Sequence, residues 1–191
     1  MPSTALDDPS AQFDTLFTAT HRRVLAYVVR RGMAPADADD IVADVYVVAW
    51  RRFEDVSWDD PLPWLIGVAH NLLRNRQRTQ RRNDVLLQRL RSEPPPGQVA
   101  SDATLEELDD IRVVRCALAD LSEADQELLQ LAAVEGLSPS QIAVVLDCRA
   151  VTARVRLHRA RTRLRAALER SAAGAGADAQ THAARTEGSR V

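Results

Sequence analysis

The sequence predicts an all-α protein made of two small helical domains joined by a flexible linker. Three observations lead there. Apolar residues recur at three- and four-residue spacings along most of the chain. Alanine, leucine, valine and arginine dominate while glycine numbers only 7 and aromatics 4%, which favours helices and leaves little material for a sheet. A proline cluster interrupts the pattern near the middle, and 191 residues suffice for one domain or two small ones.

Residues 1–10 carry no periodicity and are expected to be disordered. From Ala11 to Arg31, Phe13, Leu16, Phe17, Val24, Leu25 and Val28 line one face of a first helix, which Gly32 ends. Pro35, suited to a first helical position, and the acids Asp37, Asp39 and Asp40 open a second helix through Ile41, Val45, Tyr46 and Trp50. A loop with Pro61 and Pro63 precedes a third, whose Leu65, Val68, Ala69 and Leu72 face a core before the helix turns polar at Arg74–Arg82. These make a first domain over 11–91. Residues 92–104, with Pro94, Pro95, Pro96 and Gly97, read as the linker.

The second domain, 105–170, begins with a fourth helix through Leu108, Ile111, Val114 and Leu118. Ser122 is placed to cap a fifth, and Gly136 to stop it. Ser138-Pro139-Ser140-Gln141 has the form of a capping box with proline at the first helical position. A short helix through Ile142, Ala143 and Leu146 then breaks at Asp147-Cys148-Arg149, and a long arginine-rich helix follows from about Ala150 to Arg170. Short helix, turn, long basic helix is the helix-turn-helix pattern. Residues 171–191, rich in alanine and small polar groups, are expected to be disordered.

A formal net charge of -2 conceals strong segregation. Residues 1–60 hold 11 acidic and 6 basic groups, and 61–91 hold 1 and 7; residues 92–148 hold 12 and 2, and 149–170 hold 1 and 8. Two acidic blocks are thus each followed by a basic helix, which points to a polyanion touched at two places. All 25 basic residues are arginine, the better fork for phosphates.

At ~100° per residue, Ala153, Leu157, Ala160, Leu164 and Leu168 form the packed side of the last helix. The opposite strip centres on Val151, Val155, His158 and Thr162. Arg154, Arg161 and Arg165 run along one edge, and Arg149, Arg156, Arg159 and Arg163 along the other. Two cationic rails around a strip of smaller side chains suit a major groove, with phosphates on both sides and base edges beneath. The third helix has a comparable stripe of Asn71, Arg74, Asn75, Arg78 and Arg82, with His70 and Arg81 at its edge. Trp50, Phe53, Trp58 and Trp64 lie just before it, where they serve a core or shape a pocket for unstacked bases. Asp37, Asp40 and Asp44 share a face beside Ile41 and Val48, where they complement the helix dipole or meet a basic partner.

No nucleophile, metal cluster or glycine-rich phosphate loop stands out, and the four histidines are scattered. No cofactor, metal or catalytic centre is therefore expected. Cys116 and Cys148 lack metal-ligand spacing. With no apolar run of membrane length and an acidic start at Met1–Ser10, neither membrane insertion nor secretion is expected, and a cytoplasmic location is. These residues alone leave open a two-domain activator of duplex DNA and a helical adaptor that binds protein alone.

The motifs in this order resemble the extracytoplasmic-function (ECF) sigma factors, the compact class of bacterial transcription initiation factors in the sigma-70 family. Ala36-Asp-Ala-Asp-Asp-Ile-Val-Ala-Asp-Val-Tyr-Val-Val-Ala-Trp50-Arg51 is similar to the region 2 helix that docks on the beta-prime clamp helices. Pro63-Trp64-Leu65-Ile66-Gly67-Val68-Ala69-His70-Asn71-Leu72 is similar to the minus-ten reading helix. Gly136-Leu-Ser-Pro-Ser-Gln-Ile-Ala143 and Thr152-Ala-Arg-Val-Arg-Leu-His-Arg-Ala-Arg161 resemble the region 4 helix-turn-helix that reads the minus-thirty-five element. The resemblance implies docking on core polymerase, at the clamp helices and beta flap, through Asp37, Asp40, Asp44, Trp50 and Arg51. It implies minus-ten contacts, on a single strand, from Trp64, His70, Asn71, Arg74, Asn75, Arg78, Arg81 and Arg82. Contacts to a duplex minus-thirty-five element would come from Arg149, Thr152, Arg154, Val155, Arg156, His158, Arg159, Arg161 and Arg163. It also admits an anti-sigma factor as a partner.

Two departures from the family pattern stand out. Asp147 occupies the usual turn glycine, and Val151-Thr152-Ala153-Arg154-Val155 stands where Gly-Thr-Val-Lys-Ser is common. The valine at 155 removes a hydrogen-bonding reader. From Leu90 to Glu106 is 16 residues, spanning at most roughly 50 Å when extended, so two boxes more than one turn (~34 Å) apart require an extended linker.

Overall fold

Asp8 caps the first helix: its backbone is extended and its carboxylate accepts from the Ser10 N–H at 2.9 Å, with Pro9 at the first helical position. This cap starts α1 (Pro9–Arg30) two residues ahead of the expected Ala11. The computed structural model describes residues 8–88 and 105–187, with side chains for 8–80 and 111–171. After α1 come α2 (Pro35–Arg51), a 3-10 turn at Phe53–Asp55, α3 (Leu62–Gln88), α4 (Leu105–Ala119), α5 (Glu123–Ala133), α6 (Pro139–Val145) and α7 (Ala150–Glu187). No strand occurs among the described residues, and none of their helices is long and apolar enough to cross a membrane. The proline-rich linker lies outside the described residues.

Two compact units emerge, Met1–Pro95 with Ser140–Arg149, and Pro96–Pro139 with Ala150–Val191. In the first, α1, α2 and α3 pack on one another. Val24, Tyr27 and Val28 of α1 meet a core shared with Ile41, Val42, Val45 and Ala49 of α2 and Leu65, Ile66 and Ala69 of α3, all buried. Burying each large side chain contributes about 1.5–3 kcal/mol. One polar pair sits inside. The Thr20 hydroxyl donates to the Leu16 carbonyl at 2.6 Å, so the Tyr46 hydroxyl, 2.8 Å from Thr20 Oγ1, must be the donor between them. Burial raises the Tyr46 phenol above its ordinary value.

In the second unit, α4 and α5 pack against α7. The core includes Ala117, Leu121, Leu128, Leu131, Ala153, Leu157 and Ala160, so α7 turns the expected side inward. Ser122 caps α5, its Oγ accepting the Asp125 N–H at 3.2 Å. Gly136, at φ +69°, lets the Leu137 N–H close back on the Leu131 carbonyl at 3.0 Å.

The turn between α6 and α7 is closed by the Cys148 N–H on the Ala143 carbonyl at 2.9 Å and the Leu146 N–H on the Ile142 carbonyl at 3.0 Å. Asp147 has φ +47°, the one non-glycine residue in the left-handed region among those described. Aspartate tolerates that region better than most side chains, which is how the turn survives without glycine.

The end of α7 corrects an expectation. The helix does not stop near Arg170 but continues to Glu187, through the segment expected to be disordered. Extending an existing helix adds one hydrogen bond per residue fixed, and alanine is the best helix former.

Candidate nucleic-acid interface

On α7, Arg149, just before the helix, and Arg154, Arg156, His158, Arg159 and Arg161 are exposed, with Thr152 half-buried. Between the rails Val151 and Val155 stand 67% and 42% exposed. The first three turns thus present a cationic surface around an apolar strip, on a helix whose opposite side is fixed by Ala153, Leu157 and Ala160.

Arg163 is placed differently from its expected phosphate contact. One of its guanidinium nitrogens donates to both Asp125 oxygens, at 2.9 and 2.8 Å. Asp125 is buried and also accepts the Ser122 hydroxyl at 2.9 Å. Arg163 therefore ties α7 to the start of α5. Sequence reading passed over Asp125, although it precedes Leu128 and Leu129 at three- and four-residue spacing and so lies on the packed face of α5. Asp125→Ala removes half of a cap and a charge-assisted pair whose arginine is 58% exposed. The expected cost is about 1–3 kcal/mol, read as a lower midpoint in denaturant unfolding of the full chain followed by helical circular dichroism.

On α3, Asn71, Arg74, Asn75 and Arg78 are exposed along one face. The side chains of Arg81 and Arg82 lie outside those described. His70 corrects the sequence reading: it is buried, with Nδ1 3.5 Å from the Tyr27 hydroxyl. Its position four residues after Ile66 and three before Leu73 puts it on the inner edge of the helix, facing the core rather than a base.

The aromatic residues before α3 form a chain of ring contacts. Phe13 meets Trp50 at 5.1 Å between centroids, Trp50 meets Phe53 at 6.3 Å, and Phe53 meets Trp58 at 4.5 Å. Trp50 and Trp58 remain 49% and 38% exposed, leaving ring surface available for stacking. Trp64 is half-buried beneath the Arg52 guanidinium, 5.8 Å from its ring centroid, and Arg52 is itself held by Asp55 at 2.7 Å.

The outer face of α2 carries Asp40, Asp44, Val47 and Arg51 at four-, three- and four-residue spacing, all exposed. Val47 was not singled out from the sequence; its register with the two acids is the signal. Asp37, on the same face at the start of α2, is half-buried and pairs with Arg76 of α3.

Residues 16–83 match the family model for Sigma-70 region 2, and residues 111–164 match that for Sigma-70, region 4. The RNA polymerase sigma factor CnrH of Cupriavidus metallidurans is 30% identical over 160 residues, 79% of this chain and 84% of its own. The ECF RNA polymerase sigma factor SigK of Mycolicibacterium vanbaalenii is 29% identical over 150 residues, 76% of each chain. Among solved structures, CnrH in complex with the cytosolic domain of CnrY superimposes with a TM-score of 0.52 at 26% identity, over 86% of this chain and 92% of that one. The sigma factor RpoE of Bartonella quintana, solved with the anti-sigma factor NepR, gives a TM-score of 0.56 at 23% identity, over 82% and 96%, and speaks for the fold alone. With both regions matched in order and relatives aligned over three-quarters of its length, the chain belongs to the sigma-70 family of RNA polymerase sigma factors, in the extracytoplasmic-function class.

Proposed function

We propose that this sigma factor docks on core RNA polymerase through the outer face of α2, reads a duplex minus-thirty-five element with the first turns of α7, and holds the opened minus-ten strand against α3. The observation that carries the reading is the pair of exposed cationic stripes on helices of separate units, one within each matched region. On α3 the amides of Asn71 and Asn75 have the donors and acceptors to read base edges, and Arg74 and Arg78 the charge to hold phosphates. The exposed rings of Trp50 and Trp58 offer a platform for a base leaving the stack. The chain supplies binding energy and strand separation; phosphodiester chemistry belongs to the polymerase. Its place of work is the cytoplasm, where polymerase and chromosome meet.

Its partners are core polymerase and promoter DNA. CnrH was solved with the cytosolic domain of CnrY, and by analogy a regulatory protein that masks these faces belongs among them.

The reading is tested by Asn71→Ala. Losing one base-reading amide should lower open-complex formation on duplex promoters about tenfold, with a smaller defect on templates already melted at the minus-ten position. Permanganate footprinting checks this; equal activity on duplex DNA would remove α3 from the promoter.

A further inference from the structure

Val151 and Val155 place apolar surface on the solvent-facing side of α7. They are 67% and 42% exposed, Val151 more than any other large hydrophobic residue among those described. Both lie in the first two turns of α7, where a β-branched residue lowers helix propensity and alanine would serve better. Spaced by four residues, they share one face of the helix, about 6 Å apart along its axis. Arg154 and Arg156 are exposed beside them, so the strip lies where a polyanion's grooves would be drawn.

A valine side chain has neither donor nor acceptor. Among major-groove base edges, the one group it contacts without stranding a polar atom is the C5-methyl of thymine. Against a cytosine amino group or a guanine carbonyl, it would displace water and return no hydrogen bond. Resting on the reading of α7 as a major-groove helix, we infer that Val151 and Val155 are specificity-determining residues that read the methyl groups of two thymines in the upstream promoter element. At 3.4 Å per base step, 6 Å of helix places the two methyls about two steps apart. Arg154 and Arg159 supply the hydrogen-bonded readout around them.

The test uses holoenzyme reconstituted from the full chain and core polymerase, with the promoter that it selects from a randomised duplex library. Each upstream thymine is replaced singly by deoxyuridine, which deletes the C5-methyl and preserves pairing. Two positions about two steps apart should each bind about fourfold more weakly, the worth of one buried methyl. Val151→Ala should abolish that sensitivity at one position and Val155→Ala at the other, with every other position unchanged. Equal affinity for thymine and deoxyuridine throughout, or sensitivity that persists in both alanine variants, overturns the inference while leaving α7 a DNA-reading helix. Promoter affinity unaffected by any upstream base change overturns the inference and that reading together.

Discussion

Reversing Asp40 and Asp44 together to arginine is expected to abolish holoenzyme assembly while leaving helix content and the unfolding midpoint unchanged. Both carboxylates are exposed and lie on the outer face of α2 with Val47 and Arg51. They sit beyond the first turn, where the helix dipole has little hold on them, and surface substitutions of this kind move stability by no more than about 0.5 kcal/mol. At an interface the arithmetic differs. Close charge pairs between proteins couple by roughly 1.5–7 kcal/mol, so two reversals should weaken polymerase binding by at least about a hundredfold. Asp37 is unsuitable for the same test because its pair with Arg76 joins α2 to α3. Co-purification of the double variant with core polymerase at wild-type yield would move the docking face elsewhere.

Neutralising both rails of α7, in Arg156→Ala with Arg161→Ala, should weaken holoenzyme binding to all promoters alike. Each arginine is exposed, and the two flank the valine strip on opposite sides. Each lost phosphate contact lowers the slope of log K against log salt by about 0.9, which near 0.15 M salt amounts to roughly 30-fold for the pair. The discrimination between good and poor upstream elements should stay constant, because phosphates position and bases specify. Arg163→Ala is the internal contrast. Its guanidinium already serves Asp125, so the salt slope should hold while the stability of the second unit falls. A titration of affinity against salt distinguishes them; a slope change for Arg163→Ala equal to that of either rail arginine would return Arg163 to the groove.

Much of this was legible in the sequence because local chemistry and tertiary packing agree. Ser122 caps α5 because its hydroxyl suits that role wherever a helix begins. Ala153, Leu157 and Ala160 face inward because they recur at four- and three-residue spacing along one side of α7, and the arginine rails follow by geometry. Asp147 adopts the left-handed turn expected of the residue in the glycine's place. What escaped were features that depend on partners distant in sequence. His70 reads as polar beside Asn71, yet the Tyr27 hydroxyl and the apolar surface around it draw it inside. Arg163 reads as one more rail arginine until Asp125, 38 residues earlier, is brought against it. The continuation of α7 to Glu187 escaped because glycine and small polar residues rank low in helix propensity taken alone, whereas a helix already formed gains one hydrogen bond for each residue it adds.

Transcription by purified core polymerase, with and without this protein, over a promoter library varied at both elements and in the distance between them, tests the central claim most directly. Initiation should depend on the protein, require both elements, and fall away as their spacing leaves a narrow optimum. Binding to duplex DNA without protein-dependent initiation, or initiation from one element alone at any spacing, would contradict it.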